Sequence, residues 1–251
     1  MTPTLPAWLT GDLTGLIVRT DTEDRPLTAA ERARYRADAA PWFRATSLRS
    51  LGMLTADWLE GANLYLPAYG ATCPDPETRP LIPTLAAANR AALVTTCSQP
   101  GHGPTVGYNG RLWRQLAAVS GFCDETTAAS LRAALIGHPD LYVYIWGPGS
   151  KRAGAQYEIP ATVHADPHDP EDQWLSTVFG PPLPRRAVRC IYRGDLNRAA
   201  VKTLCGAWQV TLADTQYGRN DRLWPALHTW ATGVRPTPST TTTDPTNSAR
   251  G

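Results

Sequence analysis

The sequence predicts a mixed α/β (α+β) fold, a single domain with a mixed sheet flanked by helices. Capped segments of helical period alternate with short β-branched and aromatic runs, and hydrophobic residues are 42% against 18% charged over 251 residues, enough apolar content for one core. That composition excludes wholesale disorder, collagen and coiled coil, and no internal repeat is visible.

The elements follow in order. Residues 1–27 read as an extended arm with one strand in the apolar stretch Leu13 to Val18. Thr28 opens a helix, TAAERARYRADAA, with Glu31 three residues on as a capping box. Ser47 to Gly61 places Leu48, Leu51, Leu54, Trp58 and Leu59 on a helical face, with Gly61 as its stop. A loop over Pro67 to Pro76 leads into ETRPLIPTLAAANR, where Leu81, Leu85 and Ala88 share a face. Pro80 suits its first turn better than Pro83 does. Ala92 to Thr96 is β-prone and ends in the polar turn Ser98-Gln99-Pro100-Gly101.

A Gly-rich loop over 101–110 comes next, then LWRQLAAVSGF, whose period fits strand or helix. A helix runs from Asp124 or Thr126 to near Gly137, and Tyr142 to Trp146 forms a strand stopped by Gly147-Pro148-Gly149. The remaining expectations are a strand at Tyr157 to Val163, a helix holding Trp174, Leu175, Val178 and Phe179, and a strand at Val188 to Tyr192. A helix at Leu196 to Leu204, a strand at Trp208 to Leu212 and a helix marked by Leu223, Leu227 and Trp230 close the domain. From about Val234 the Pro- and Thr-rich tail holds nothing that builds a core. The division is an arm and helix over 1–44, the α/β domain over 45–232, and a disordered tail over 233–251.

Function classes narrow by chemistry. The net charge is +2, from 24 basic and 22 acidic residues, without the positive field of a nucleic-acid binder. No window reaches the length of a membrane span and no leader pattern opens the chain, so the expectation is a soluble, cytoplasmic protein. The five cysteines, Cys73, Cys97, Cys123, Cys190 and Cys205, lack zinc or disulfide spacing. His164 and His168 stand four apart in an acidic segment, but Pro167 between them opposes the helix that would converge them, and no metal site is expected. Neither a P-loop, a G-x-G-x-x-G run nor a G-x-S-x-G elbow is present.

One set of residues carries a resemblance. Glu77-Thr78 is followed eleven residues later by Asn89, then by Leu93-Val94-Thr95-Thr96-Cys97-Ser98-Gln99-Pro100; Gln115 and Ala117, Ile145-Trp146-Gly147, Pro160 to Val163 and Val210 to Trp224 come after. In order and spacing this resembles the C-terminal regulatory domain of methylenetetrahydrofolate reductase, over about residues 45–232. The chain is also similar to an uncharacterised bacterial family of free-standing proteins with the same Ser-Gln-Pro-Gly block. The resemblance implies a fold that binds S-adenosylmethionine or S-adenosylhomocysteine, and Glu77, Thr78, Thr95, Ser98, Gln115 and Thr162 fall on the ligand-site positions it carries over. A flavin barrel of roughly 250 residues does not fit beside this domain, so folate reduction is not expected. The pattern departs at Ile145, at Cys97 and in the loop from Val106 to Gly110.

The expected function is a stand-alone adenosyl-ligand sensor or sequestering protein, with an unidentified protein partner. A small enzyme using Glu77 as base, or an interaction module that has lost the ligand, are the alternatives. The plainer reading of the same residues is structural: Glu77-Thr78 caps a helix, and Ser98-Gln99-Pro100 makes a turn.

Overall fold

The computed structural model describes residues 17–19, 24–69, 71–107, 110–150, 154–169 and 171–233. The arm before residue 17, Tyr108 and Asn109 of the loop from Val106 to Gly110, and the tail beyond 233 lie outside the described residues. The α+β class is as expected, but the strands form two separate four-stranded sheets rather than one mixed sheet, and every pairing among the described residues is antiparallel.

A short ribbon, β1 (Ile17–Arg19) with β2 (Asp24–Pro26), precedes helix α1 (Ala29–Arg44). Thr28 and Glu31 close the capping box at its start: Thr28 Oγ1 accepts the Glu31 N–H, and Glu31 accepts the Thr28 N–H. The Arg25 guanidinium, with those Thr28 contacts, pulls the Glu31 carboxyl down to about 2. Helix α2 (Leu48–Leu59) starts on a Ser47 cap. The expected helix over 77–90 divides into a 3₁₀ turn, Pro76–Leu81, and helix α3, Ile82–Arg90. The Pro83 ring would clash with a carbonyl of the preceding turn, so α geometry starts just before it.

The central sheet runs β3 (Val94–Gln99), β6 (Ala118–Cys123), β10 (Trp208–Asp214), β7 (Leu141–Trp146). The second runs β4 (His102–Val106), β5 (Leu112–Gln115), β8 (Ile159–Ala165), β9 (Gln173–Phe179). Helices α4 (Glu125–Leu135), α5 (Arg185–Tyr192), α6 (Arg198–Cys205) and α7 (Leu223–Thr232) complete the fold.

Three expectations are corrected. The Gly-rich segment after Gly101 is strand β4. Trp174 to Phe179 is strand β9, because its β-branched and aromatic residues extend β8 at the sheet edge, and pairing overrides their helical spacing. Val188 to Tyr192 is helical, since Val188, Ile191 and Tyr192 stand at i, i+3 and i+4.

The central sheet has two unlike faces. One carries Val119, Cys123, Val210 and Leu212 and packs on α3, α4 and α7 through Leu85, Leu131, Leu223 and Leu227. The other is shared by two clusters. At one end Val94 and Phe122 join Trp42, Leu51, Val188 and Leu204 of α1, α2, α5 and α6. At the other end Ala118 and Ala213 meet Ile159, Ala161 and Phe179 of the second sheet.

Candidate functional site

The cavity lies where those two clusters fail to meet. Register places Cys97, Ser120, Thr211 and Tyr144 in one row across the central sheet, between the rows that supply Phe122 and Ala118. Hydroxyls therefore occupy the seam, and a cavity of about 360 Å³ opens over it, within the range of small-molecule sites. Ser120, Thr211, Thr96 and Thr177 contribute hydroxyls, and Trp42, Tyr69, Phe122, Trp146, Phe179 and Tyr192 contribute rings. Among the described residues no charged side chain lines it. The Thr96 hydroxyl lies 3.3 Å from that of Ser120, whereas Thr211, buried in its strand, makes no side-chain hydrogen bond among the described residues.

One wall is pinned from the sheet. Gln209 accepts the Leu183 N–H at 2.7 Å and donates to the Leu183 carbonyl at 2.8 Å, and the Trp146 indole donates to the Gly180 carbonyl at 2.8 Å. Gly180 has φ +120°, and a Cβ there would enter the Tyr157 carbonyl, so only glycine allows this turn. The facing loop is held by two carboxylates. Asp195 accepts the Ala68 N–H at 2.9 Å, and Asp75 accepts the Tyr69 hydroxyl at 2.6 Å. Ala68 sits at φ +61°, an uncommon backbone for alanine. Burial pushes the Asp195 carboxyl up, against the bonds from Ala68 and Tyr65.

The residues singled out by sequence divide around β3. Thr95 lines the cavity, but its hydroxyl accepts from Asn89 Nδ2 at 2.8 Å while its N–H donates to Asn89 Oδ1 at 3.0 Å. Ser98 pairs with Val119, on the helix-packed face, and makes no side-chain hydrogen bond among the described residues. Glu77 and Thr78 sit together on the 3₁₀ turn; Thr78 is buried, with its N–H on the Asp75 carbonyl at 2.9 Å. Neither makes the expected side-chain cap, because the turn begins at Pro76 and Asp75 occupies the cap position.

A chain of amides runs through the interior beside Glu77. Gln115 Nε2 donates to the Pro100 carbonyl at 2.7 Å, and the Thr162 hydroxyl is shared between Gln115 Oε1 at 3.2 Å and Gln99 Oε1 at 3.4 Å. Gln99 Nε2 then donates to the carbonyls of Leu116 and Ala161. Burial, then the Asp75 carboxylate, push the Glu77 carboxyl up, against the Gln115 amide and the His102 ring. Cys97 opens onto the cavity; the surrounding protein, then the Glu77 charge, raise its thiol. Glu77 thus acts electrostatically on one side of the cavity without lining it.

The two histidines have different surroundings, His164 on β8 and His168 in the turn that follows it. His164 stacks on Trp174 at 4.0 Å and lies 3.0 Å from the Ser176 hydroxyl, while the His168 N–H donates to Asp166 Oδ1 at 2.8 Å. Among the described residues no three His, Cys, Asp or Glu converge as metal ligands, and no helix is long and apolar enough to cross a membrane.

Sequence reasoning missed Trp42, Ser120, Thr177, Gln209 and Thr211. The available signal was a hydroxyl residue between apolar neighbours on a central strand: Ser120 in AVSGFC, and Thr211 between Val210 and Leu212 in WQVTLAD.

The chain belongs to the family described as Domain of unknown function (DUF6919), whose model matches residues 37–234. No curated protein matches the sequence.

Proposed function

We propose that this DUF6919 domain binds an adenosyl ligand, S-adenosylmethionine or S-adenosylhomocysteine, in the cavity over the central sheet, and acts as a stand-alone sensor or sequestering protein. The observation that carries this reading is an uncharged, ring-walled cavity of nucleoside size, floored by hydroxyls, with the Glu77 carboxylate acting on the Cys97 side. Rings and hydroxyls match a heterocycle and ribose, and a carboxylate at one side matches the ammonium or sulfonium of the ligand's amino-acid arm.

The lining supports binding over turnover. Among the described residues it holds no charged side chain to act as acid or base. No disulfide links the described cysteines, which supports placement in a reducing compartment such as the cytoplasm.

Calorimetric titration of the purified chain with each ligand, followed by mass spectrometry of the recovered ligand, tests the reading. Micromolar binding with intact ligand is expected, and Glu77→Gln weakens it about two- to fivefold, the scale of a charge acting at a distance rather than by contact. Altered ligand makes the protein an enzyme; no heat with either ligand sinks the proposal.

A further inference from the structure

We propose that the chain forms a two-fold symmetric homodimer in which the open edge of β9 pairs antiparallel with β9 of a second copy, joining the second sheets of the two copies into one continuous sheet. The inference is independent of the adenosyl-ligand reading.

Strand β9 pairs with β8 on one side and with no strand on the other among the described residues. An unpaired edge is a template for another strand, and proteins that stay monomeric blunt it with prolines, charges, bulges or cover. The other three edges of the two four-stranded sheets are blunted. At β3 the Thr95 N–H is taken by Asn89 Oδ1 at 3.0 Å, and the register shifts between Thr95 and Cys97. Strand β4 carries Pro104 and a register shift. At β7 the Arg132 guanidinium reaches the Ile145 carbonyl at 3.5 Å. The β9 run, QWLSTVF, has neither proline nor charge. Its register against β8 is the same on either side of the irregularity at Thr177, since Leu175 faces Val163 and Val178 faces Pro160. Trp174, Leu175 and Val178 are 44%, 50% and 45% exposed, and alternation along the strand places them on both of its faces, so apolar surface flanks the edge above and below.

The charges at the two ends of β9 select the partner and the direction. The turn before it carries Asp169 and Glu171, and the segment after it leads to Arg185 and Arg186 at the start of α5, all four exposed. Asp172 is held by Arg111 at 2.6 Å, but none of these four side chains forms an ion pair among the described residues. Antiparallel pairing of two copies brings the acidic end of each strand towards the basic end of the other, whereas parallel pairing would set like charges together. A second copy thus supplies a strand of matching length, apolar flanks and opposite charge at each end, and the two-fold axis closes the contact so that it does not propagate.

Sedimentation equilibrium of the full chain over a range of concentrations tests this. A monomer to dimer equilibrium is expected, and Leu175→Lys, at an exposed position, is expected to raise its dissociation constant about tenfold or more while circular dichroism stays unchanged. Glu171→Arg should weaken the dimer, and Arg185→Glu added to it should restore association; no restoration overturns the charge pairing that sets the direction. Wild-type hydrogen exchange above and below the dissociation constant needs no variant, and residues 173–179 are expected to gain protection in the dimer. A wild type that stays monomeric at every concentration, whether its edge is bare or covered by another part of the chain, overturns the proposal. So does a dimer that Leu175→Lys leaves intact, protection gained away from β9, or assembly that continues beyond two copies.

Discussion

Asn220 grips Gly101 by both backbone groups: its Oδ1 accepts the Gly101 N–H at 2.7 Å and its Nδ2 donates to the Gly101 carbonyl at 2.9 Å. The end of the Ser-Gln-Pro-Gly run is thereby locked onto the loop before α7. There is no room at the contact, because a Cβ on Gly101 would enter the Arg219 carbonyl.

Gly101→Ala is therefore expected to destabilise by about 2–4 kcal/mol through backbone displacement, and Asn220→Ala by about 2–3 kcal/mol through three lost hydrogen bonds, the two to Gly101 and one from the Trp224 indole. Urea denaturation of both variants checks this. A Gly101→Ala protein as stable as the wild type would mean that the loop yields freely.

Gln99 makes a parallel prediction inside the seam. Its amide donates to the Leu116 carbonyl at 3.0 Å and the Ala161 carbonyl at 3.3 Å, tying the central sheet to β8. Gln99→Leu should cost about 1–3 kcal/mol, because the Leu116 carbonyl loses this donor. Gln99→Glu should cost more at neutral pH, as a buried carboxylate would face two carbonyl oxygens. Such a carboxyl is held above its unfolded pKa, so its penalty grows as pH rises through the unfolded value and fades in acid. Denaturation midpoints from pH 4 to 8 read this out; a pH-independent difference between the two variants contradicts it.

These residues explain what the sequence made legible. Asn89, Gln99 and Gly101 stood out through spacing, and each proves to be a structural staple whose geometry tolerates few side chains. Capping boxes and glycine stops are local, so the α1 and α2 starts were readable from a few residues. The cavity is not local: it comes from rows on β3, β6 and β10 that only register aligns, and from Trp42 on a helix far away in sequence. Strand β9 was misread for the same reason, since Trp174 to Phe179 has helical spacing and only β8 beside it decides otherwise.

Asp195 should make stability depend on pH. Burial holds its folded pKa above the ordinary value of 3.8, so the native state binds the proton more tightly than the unfolded chain. Stability therefore falls as pH rises from that value, until Asp195 has ionised in the folded state as well. Asp195→Asn removes this slope and still offers an oxygen to the Ala68 N–H, so the variant is expected to be more stable than the wild type at pH 7 and to converge with it near pH 4. Denaturant titrations across that range test the sign. A variant less stable at pH 7 would show that the charged bond to Ala68 outweighs the burial.

Thr211 gives the sharpest separation of function from fold. It is 6% exposed, pairs with Ser120 in the middle of the central sheet and lines the cavity, yet its hydroxyl has no partner among the described residues. Valine has nearly the same shape and a higher strand preference. For stability alone Thr211→Val removes an uncompensated polar group, which should be neutral or gain up to about 1 kcal/mol. A ligand hydroxyl or ring nitrogen seated over the row would lose its partner, so affinity for the adenosyl ligand should fall about tenfold. Thermal denaturation and calorimetry on the same preparation read both quantities. A hydroxyl kept for packing would move stability and leave binding unchanged; one kept for a ligand moves binding and spares the fold.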